Sequence, residues 1–454
     1  MKVAIYTLGC KVNQAESASI EGTMRGHGHE IVQMHRDTDR DRPDVCIINT
    51  CTVTSKSDYQ SRQMIRRAVK SGARVIATGC YAQLRPKELL KINGLDFILG
   101  NSEKDKLQEY FDKLSSAKLK TENLGSVPNC NDNESMKRVL VESPETPMKL
   151  GPYCSNRSRA FLKIQDGCNF SCSYCTVPMA RGKSRSLNPA DVLKAVEKLV
   201  ADGYEEIVLT GIHIGSYGLE LKPESSLLGI VNKIINDNPL IRLRLSSIEP
   251  QEFKKDFLSL IKQGGTNRSR GRLCPHLHIP LQSGSDNVLK LMKRGYNISF
   301  FKKLINEIVM IHPDISIGTD IIVGFPGESE NDFKDTIKFL EELPLSYIHV
   351  FPYSQRPYTR ASTLKGQISN EIKKKRVNII LEIARKKKNA YLIRHLGKTL
   401  NVIVERKTAT TCFYRAISEN YIRPLVKADN LIEGKSLLVK AVSISDGELI
   451  SMPV

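Results

Sequence analysis

Phe161–Arg185 reads FLKIQDGCNFSCSYCTVPMARGKSR, and its three cysteines, Cys168, Cys172 and Cys175, stand at C-x3-C-x2-C directly after a strand-like apolar run. Three thiolates at this spacing form a metal-binding pattern. A structural zinc site takes four protein ligands, usually from paired C-x2-C units, so a bare triplet leaves one position open. An iron-sulfur cube is served differently: three thiolates hold three irons, and the fourth is left for an exogenous ligand. A zinc knuckle borrowing Cys154 or a remote histidine, or three unligated thiols, are the other readings of the same residues. The strand-loop-helix setting favours a cluster at the mouth of a barrel over a zinc hairpin.

The chain around this stretch has 454 residues, enough for two or three domains, and 40% of them are hydrophobic. A formal charge of +19, from 68 Lys and Arg against 49 Asp and Glu, points to a polyanionic partner, with nucleic acid first, although basic composition also serves plain solubility. The first residues, MKVAIYTLGC, lack the apolar core of a signal peptide, and no segment approaches membrane-spanning length. The expected compartment is therefore the reducing cytoplasm. There, clustering among the 11 cysteines indicates ligands or catalysts before cross-links.

The first hundred residues alternate strand and helix. Lys2–Tyr6, Asp44–Ile48, Arg74–Ala77 and Asp96–Leu99 are strand-like, with helical pattern between them, as at Asp58–Lys70. This is a doubly wound α/β pattern, in which ligands bind outside the carboxyl ends of the strands. Cys10 in TLGCKVNQ, Cys51 in NTCTVT and Cys80 in TGCYAQ each lie just past a strand. All three are expected on one sheet edge, where three thiols make a second metal site or, on the plainer reading, merely suit crowded turns. Cys46 lies inside its strand and reads as a buried structural thiol.

Residues 101–155 are polar, hold Cys130 and Cys154 in no ligand spacing, and read as a linker. Strand candidates follow at Phe161–Ile164, Glu206–Leu209, Arg242–Leu245, His276–Pro280, Ile317–Val323 and Ser346–Phe351. Helical patterns such as Pro189–Asp202, Phe253–Lys262, Phe300–His312 and Asn331–Glu341 separate them. Six βα units suggest a partial TIM-like barrel, (βα)6, with its site at the strand carboxyl ends. The Gly- and Arg-rich run Gln263–Arg272 reads as a basic loop. Gln367–Leu396 reads as one long helix stopped by Gly397, its apolar face on Ile372, Ile379, Ile383 and Ala390. From Lys365 to Arg394 ten Lys and Arg face two Glu, so this stretch carries +8 of the charge, as a nucleic-acid face or simply a solvated one. Thr399–Val454 has short alternating runs broken by turns, the pattern of a small antiparallel barrel.

With Tyr174 before its last cysteine, the triplet resembles the radical S-adenosylmethionine (SAM) superfamily. GCKVNQ, NTC and GC-x-x-Q, in that order ahead of it, resemble the methylthiotransferase family, and the tail resembles the TRAM RNA-binding barrel. The resemblance implies a [4Fe-4S] cluster on Cys168, Cys172 and Cys175 that binds SAM by its amino and carboxylate groups. It also implies an auxiliary [4Fe-4S] cluster on Cys10, Cys51 and Cys80, in a flavodoxin-like domain without flavin. The motifs LTGIHIGSYG, LSSIEP, LQSGSD and VGFPGE then make Tyr174, Thr210, Gly211, Ser247, Gln282 and Asp320 the SAM- and substrate-binding residues. Tyr358 and Arg360 stand where the family pattern has Gly and Pro. The implied domains are 1–115 with the auxiliary cluster, a linker 116–155, the radical SAM barrel 156–366, a basic helix 367–396 and the TRAM barrel 397–454.

TLGCKVNQ is closest to the subgroup acting on N6-threonylcarbamoyladenosine (t6A) at tRNA position 37, which implies tRNA, a flavodoxin- or ferredoxin-type electron donor and a sulfur donor as partners. Isopentenyladenosine-37 and a ribosomal-protein aspartate are the alternative substrates within the family. A non-catalytic, zinc-stabilised RNA-binding protein is the alternative outside it. The threonylcarbamoyl carboxylate calls for a cation, expected at Arg181, Lys183 or Arg185, while Tyr414, Tyr421 and Arg423 are candidates for stacking on RNA or for barrel core.

Overall fold

The computed structural model describes residues 1–32, 42–116, 139–143, 147–149, 151, 153, 157–263, 272–408 and 412–454. Cys130, Cys154, nearly all of the expected linker 116–155 and the basic run 264–271 lie outside them. Two compact units result. One comprises Met1–Ser155 with Asp166–Phe170 and Cys175–Ser186, the other Asn156–Gln165, Ser171–Tyr174 and Leu187–Val454.

Six parallel strands form the first unit's sheet: β1 (Lys2–Thr7), β2 (Glu30–Ile31), β3 (Val45–Thr50), β4 (Arg74–Gly79), β5 (Phe97–Leu99) and β6 (Val139–Leu140), in the order β2-β1-β3-β4-β5-β6. Up to β5 this is the doubly wound order of flavodoxin-like folds. Buried apolar residues pack on both faces: Ile65, Ala68 and Leu89 with Cys46 and Ile48 on one, Ile20, Met24 and Phe111 with Ile47 on the other. Cys46 is fully buried, as its place within a strand implied. The helix Leu107–Ser116 and the strand β6 occupy parts of 101–155, a stretch whose composition reads as linker throughout. A two-residue strand acquires its identity only from the neighbour it pairs with, here β5.

In the second unit, parallel strands β7 (Ala160–Lys163), β10 (Glu206–Thr210), β11 (Arg242–Leu245) and β12 (Arg272–Leu273) pair as β12-β11-β10-β7. The parallel strands β13 (His276–His278), β14 (Ser316–Val323) and β15 (Tyr347–Pro352) pair as β13-β14-β15. A bridge from Ser247 to His278 joins the two sets. Two short strands, β8 (Gln165–Asp166) and β9 (Arg185–Ser186), precede and follow the cysteine loop in the chain. Helices between strands are capped by side chains, as where Asn188, Ser226, Asn297 and Ser329 accept backbone N–H groups at helix starts.

The basic helix runs Asn370–Ile393, and its buried row is not the expected one. Ile383 is buried as expected, but Ile372, Ile379 and Ala390 are exposed, and Lys373, Arg376 and Ile380 are buried in their place, Arg376 through ion pairs with Glu328 and Glu330. The buried arginine is neutralised by acids 46 to 48 residues away, a pairing that helical periodicity cannot reveal. Beyond Gly397 (φ 76), strands β16 (Thr399–Lys407), β17 (Phe413–Ser418), β18 (Leu425–Lys427), β19 (Ser436–Ser445) and β20 (Glu448–Pro453) close a barrel in the order β16-β17-β18-β20-β19. It departs from a purely antiparallel barrel in one pair, β18 with β20, which is parallel. Among the described residues no helix is long and apolar enough to cross a membrane.

Candidate active site

Cys10, Cys51 and Cys80 follow β1, β3 and β4, three neighbouring strands, and so share one edge of the first sheet. Side chains from the same motifs pin their turns. Asn13 donates to the carbonyls of Leu8 (2.7 Å) and Thr50 (3.1 Å), and Asn49 donates to Asn13 O and Ser17 Oγ. Gly9 takes φ 101, and a Cβ there would lie 2.7 Å from Cys51 Cβ and 2.8 Å from its Sγ, so the backbone approach needs glycine. Burial pushes the Cys51 thiol up to about 11, and charge on Cys80 and Cys10 adds to the effect. Burial raises the Cys10 thiol as well, and thiols so placed fit a site where a bound metal group takes up the thiolate charge.

Arg181, 1% exposed, lies among these groups: it pairs with Glu16 (2.8 Å) and Asp166 (2.9 Å) and donates to Asn13 Oδ1 (2.8 Å). Burial opposes its charge, but Asp166, Cys80 and Glu16 hold it firmly cationic. Asp166 also receives Gly167 N–H (2.9 Å), next to Cys168, so one guanidinium ties the start of the cysteine loop to the helix that begins after Cys10. Arg181 is thus spent internally, which corrects its expected role as the partner of a substrate carboxylate. Arg185 donates to Arg181 O (3.0 Å) and approaches Asp166 (3.7 Å), while Lys183 is exposed.

Each thiol of the C-x3-C-x2-C loop accepts an N–H: Cys168 from Phe170 (3.4 Å), Cys175 from Val177 (3.4 Å) and Cys172 from the Arg294 guanidinium (3.2 Å). Such donors stabilise thiolate, the form a metal cluster binds. Arg294 also pairs with Glu249. Neither residue stands out in the sequence, because Arg294 and Cys172 are 122 residues apart. Tyr174 packs edge-on to Phe325 (ring centroids 6.4 Å) in a cluster with Val288, Met292 and Tyr353.

The remaining expected residues lie at the ends of the barrel strands. Thr210 is buried at the end of β10, and Gly211 lies against Gln165, whose Oε1 accepts His213 N–H (2.7 Å). Gln282 takes φ 70, donating its N–H to Asp320 O (2.8 Å) and accepting Ile322 N–H (2.9 Å), a left-handed residue of the kind that clusters at functional turns. Ser247 Oγ meets His278 Nδ1 at 2.8 Å, and His278 Nε2 lies 3.1 Å from Asp320 Oδ1. The structure therefore brings Ser247 and Asp320 together through His278, a residue that the sequence marks only as part of a strand. Burial would raise the Asp320 pKa, but the charge of His278 and hydrogen bonds from His278 and His349 hold the carboxyl well below the carboxylate range.

Known proteins resemble this chain over most of its length. Residues 162–340 match the Radical SAM superfamily, and residues 2–100 match Uncharacterized protein family UPF0004. Threonylcarbamoyladenosine tRNA methylthiotransferase MtaB of Aquifex aeolicus is 37% identical over 93% of this chain and 96% of its own length. The tRNA-2-methylthio-N(6)-dimethylallyladenosine synthase of Clostridium perfringens is 30% identical over 88% of this chain and 86% of its own. In fold, the radical SAM methyltransferase TsrM of Kitasatospora setae superposes with a TM-score of 0.56 over 80% of this chain and 76% of that one, at 14% identity. The chain belongs to the radical SAM methylthiotransferase family. It is an enzyme of the class that works with SAM and two [4Fe-4S] clusters.

Proposed function

We propose that this enzyme adds a methylthio group to C2 of t6A at position 37 of tRNA. The observation that carries the reading is the pair of separate thiol triads, Cys10-Cys51-Cys80 past three neighbouring strands on a sheet edge and Cys168-Cys172-Cys175 in one loop where each sulfur accepts an N–H. The first would hold the auxiliary cluster and the second the SAM-binding one. C2 of adenine carries no leaving group, so acid-base chemistry does not readily replace its hydrogen by sulfur. When bound, SAM and its cluster supply a 5′-deoxyadenosyl radical, which removes that hydrogen.

The chain's own residues bind, orient and exclude water. Tyr174, Phe325 and Tyr353 pack an apolar wall beside the cysteine loop, and Arg294 supplies positive charge at Cys172. The Thr210–Gly211 turn, braced by Gln165, is the proposed receiver of the SAM amino group, and Ser247, Gln282 and Asp320 line the proposed SAM and substrate cavity. Position 37 lies in a single-stranded loop whose bases splay out at a cost of a few kcal/mol, and the exposed lysines of the helix Asn370–Ile393 suit the phosphates around it. An electron donor of flavodoxin or ferredoxin type and a sulfur donor complete the reaction.

The test is mass spectrometry of tRNA nucleosides from a strain lacking this gene. Loss of the methylthio-t6A nucleoside, restored by the gene, is expected. Its persistence alongside loss of methylthio-isopentenyladenosine, or of the ribosomal-protein mark, would overturn the substrate while leaving the reaction class intact.

A further inference from the structure

The substrate proposed above ends in a carboxylate, and two of the three cations beside the cysteine loop are engaged with Asp166 or Glu16. A different group presents itself on one face of the sheet β13-β14-β15. Strand alternation places His276 and His278, then Gly318 and Asp320, then Tyr347, His349 and Phe351 on that face, and their rings touch in series. Gly318 is glycine because the Tyr347 ring occupies the space its Cβ would take.

Within this row Asp320 Oδ1 lies between His278 Nε2 (3.1 Å) and His349 Nδ1 (3.2 Å). The two imidazoles differ in what remains to them. His278 has its other nitrogen on Ser247 Oγ and is 9% exposed. His349 is 53% exposed, and its Nε2 has no hydrogen-bond partner among the described residues. The Asp320 carboxylate on Nδ1 fixes the ring's orientation and leaves Nε2 on the exposed side, where an N–H on it would meet an incoming carboxylate as a charge-assisted donor. Phe351, the next residue on the same face of β15, is 38% exposed and offers an apolar surface beside it.

We propose that His349, oriented by Asp320, is the group that reads the carboxylate of the substrate's N6 substituent. This rests on the t6A reading. His349 is then a specificity residue: one charge-assisted hydrogen bond is worth on the order of ten- to a hundredfold in affinity, enough to separate a t6A loop from one lacking the arm.

The experiment measures, by fluorescence anisotropy, the affinity of the cluster-loaded enzyme for two anticodon stem-loops that differ only in carrying t6A or unmodified A at position 37. Its readout is the ratio of the two affinities, which a general folding defect does not shift selectively. Wild type is expected to prefer the t6A loop. His349→Phe should bring the ratio close to one, and His349→Gln, which keeps a neutral donor, should leave an intermediate value. An unchanged ratio in His349→Phe overturns the inference and leaves the t6A reading standing, and so does a ratio lost in Lys183→Ala instead. No preference in wild type overturns both. Because His278, Asp320 and His349 offer ligand atoms within 4.8 Å of one another, divalent metal is measured in the same samples. One equivalent of zinc or manganese present in wild type and lost in His349→Phe would also overturn it, in favour of a metal site.

Discussion

Tyr358 shows what a single departure from a family pattern does to the backbone. It takes φ 67 with its side chain 87% exposed, so a position where glycine is expected by resemblance is held by a residue that tolerates that region poorly. Tyr358→Gly is expected to be neutral or to stabilise by up to about 1 kcal/mol, the left-handed penalty being partly offset by glycine's unfolded-state freedom. A denaturation midpoint that falls clearly would contradict this. The proposed ligand assignment divides the cysteines by role. Cys168→Ala should abolish reductive SAM cleavage, whereas Cys51→Ala should leave 5′-deoxyadenosine formation detectable while methylthio product disappears. Iron content should fall in both, and iron unchanged in either variant would refute the ligand assignment. Cys46 is fully buried, with its thiol pushed up to about 12 by burial, so Cys46→Val should be nearly silent in iron and activity assays. Arg181→Met leaves Asp166 and Glu16 buried without their common cation, a loss of roughly 3–5 kcal/mol read from denaturant unfolding.

At the level of elements, β10 carries a buried hub. Glu206, fully buried, accepts from Arg244 (2.7 Å), Arg242 (2.9 Å) and Arg159 (3.2 Å). Burial opposes its charge, yet the three guanidinium groups hold its carboxyl well below the ordinary range. With the folded value depressed, this contribution is complete at neutral pH and is lost as pH falls below the ordinary carboxylate value of about 4.3 towards the depressed one. Glu206→Gln removes the carboxylate shared by three buried guanidinium groups, of which Arg159 keeps Glu405, and is expected to cost on the order of 3–5 kcal/mol. A midpoint equal to wild type would show that the arginines find water or other acids. The helix Asn370–Ile393 divides its basic residues between two tasks: Lys373 and Arg376 are buried, and Lys374, Lys375, Lys386 and Lys388 are exposed. Replacing the four exposed lysines by Ala should weaken tRNA binding and flatten the slope of log K against log salt by roughly 0.9 for each phosphate that is no longer neutralised. An unchanged slope would mean that this face is only solvated.

For the whole molecule, the catalytic barrel and the C-terminal barrel share the charged network of the second unit. Arg244 donates to the carbonyls of Ser418 and Glu419 (3.0 Å each), Arg242 reaches Asn401, and Arg159 pairs with Glu405 (3.0 Å). A chain ended after Leu396 should therefore unfold at lower denaturant as well as bind tRNA weakly. Equal midpoints would make the C-terminal barrel an independent module. The longer strands, the helices between them and the three cysteines past β1, β3 and β4 were legible because apolar runs and turn residues are local signals, whereas the two-residue strands β2, β6, β8, β9 and β12 carry no such run. The partnerships of Arg181 with Glu16, of Arg294 with Cys172 and of His278 with Asp320 were not. They join residues 165, 122 and 42 apart, and their side chains meet only once the sheets exist. The same contrast separates the two thiol triads. Cys168, Cys172 and Cys175 fall within eight residues and form a set as soon as that loop leaves the ribosome, while Cys10, Cys51 and Cys80 are spread over seventy-one and become a set only when three strands have aligned. The loop triad is therefore close by sequence and the sheet-edge triad only by fold, so opening of the first sheet scatters Cys10, Cys51 and Cys80 while Cys168, Cys172 and Cys175 remain neighbours along the chain.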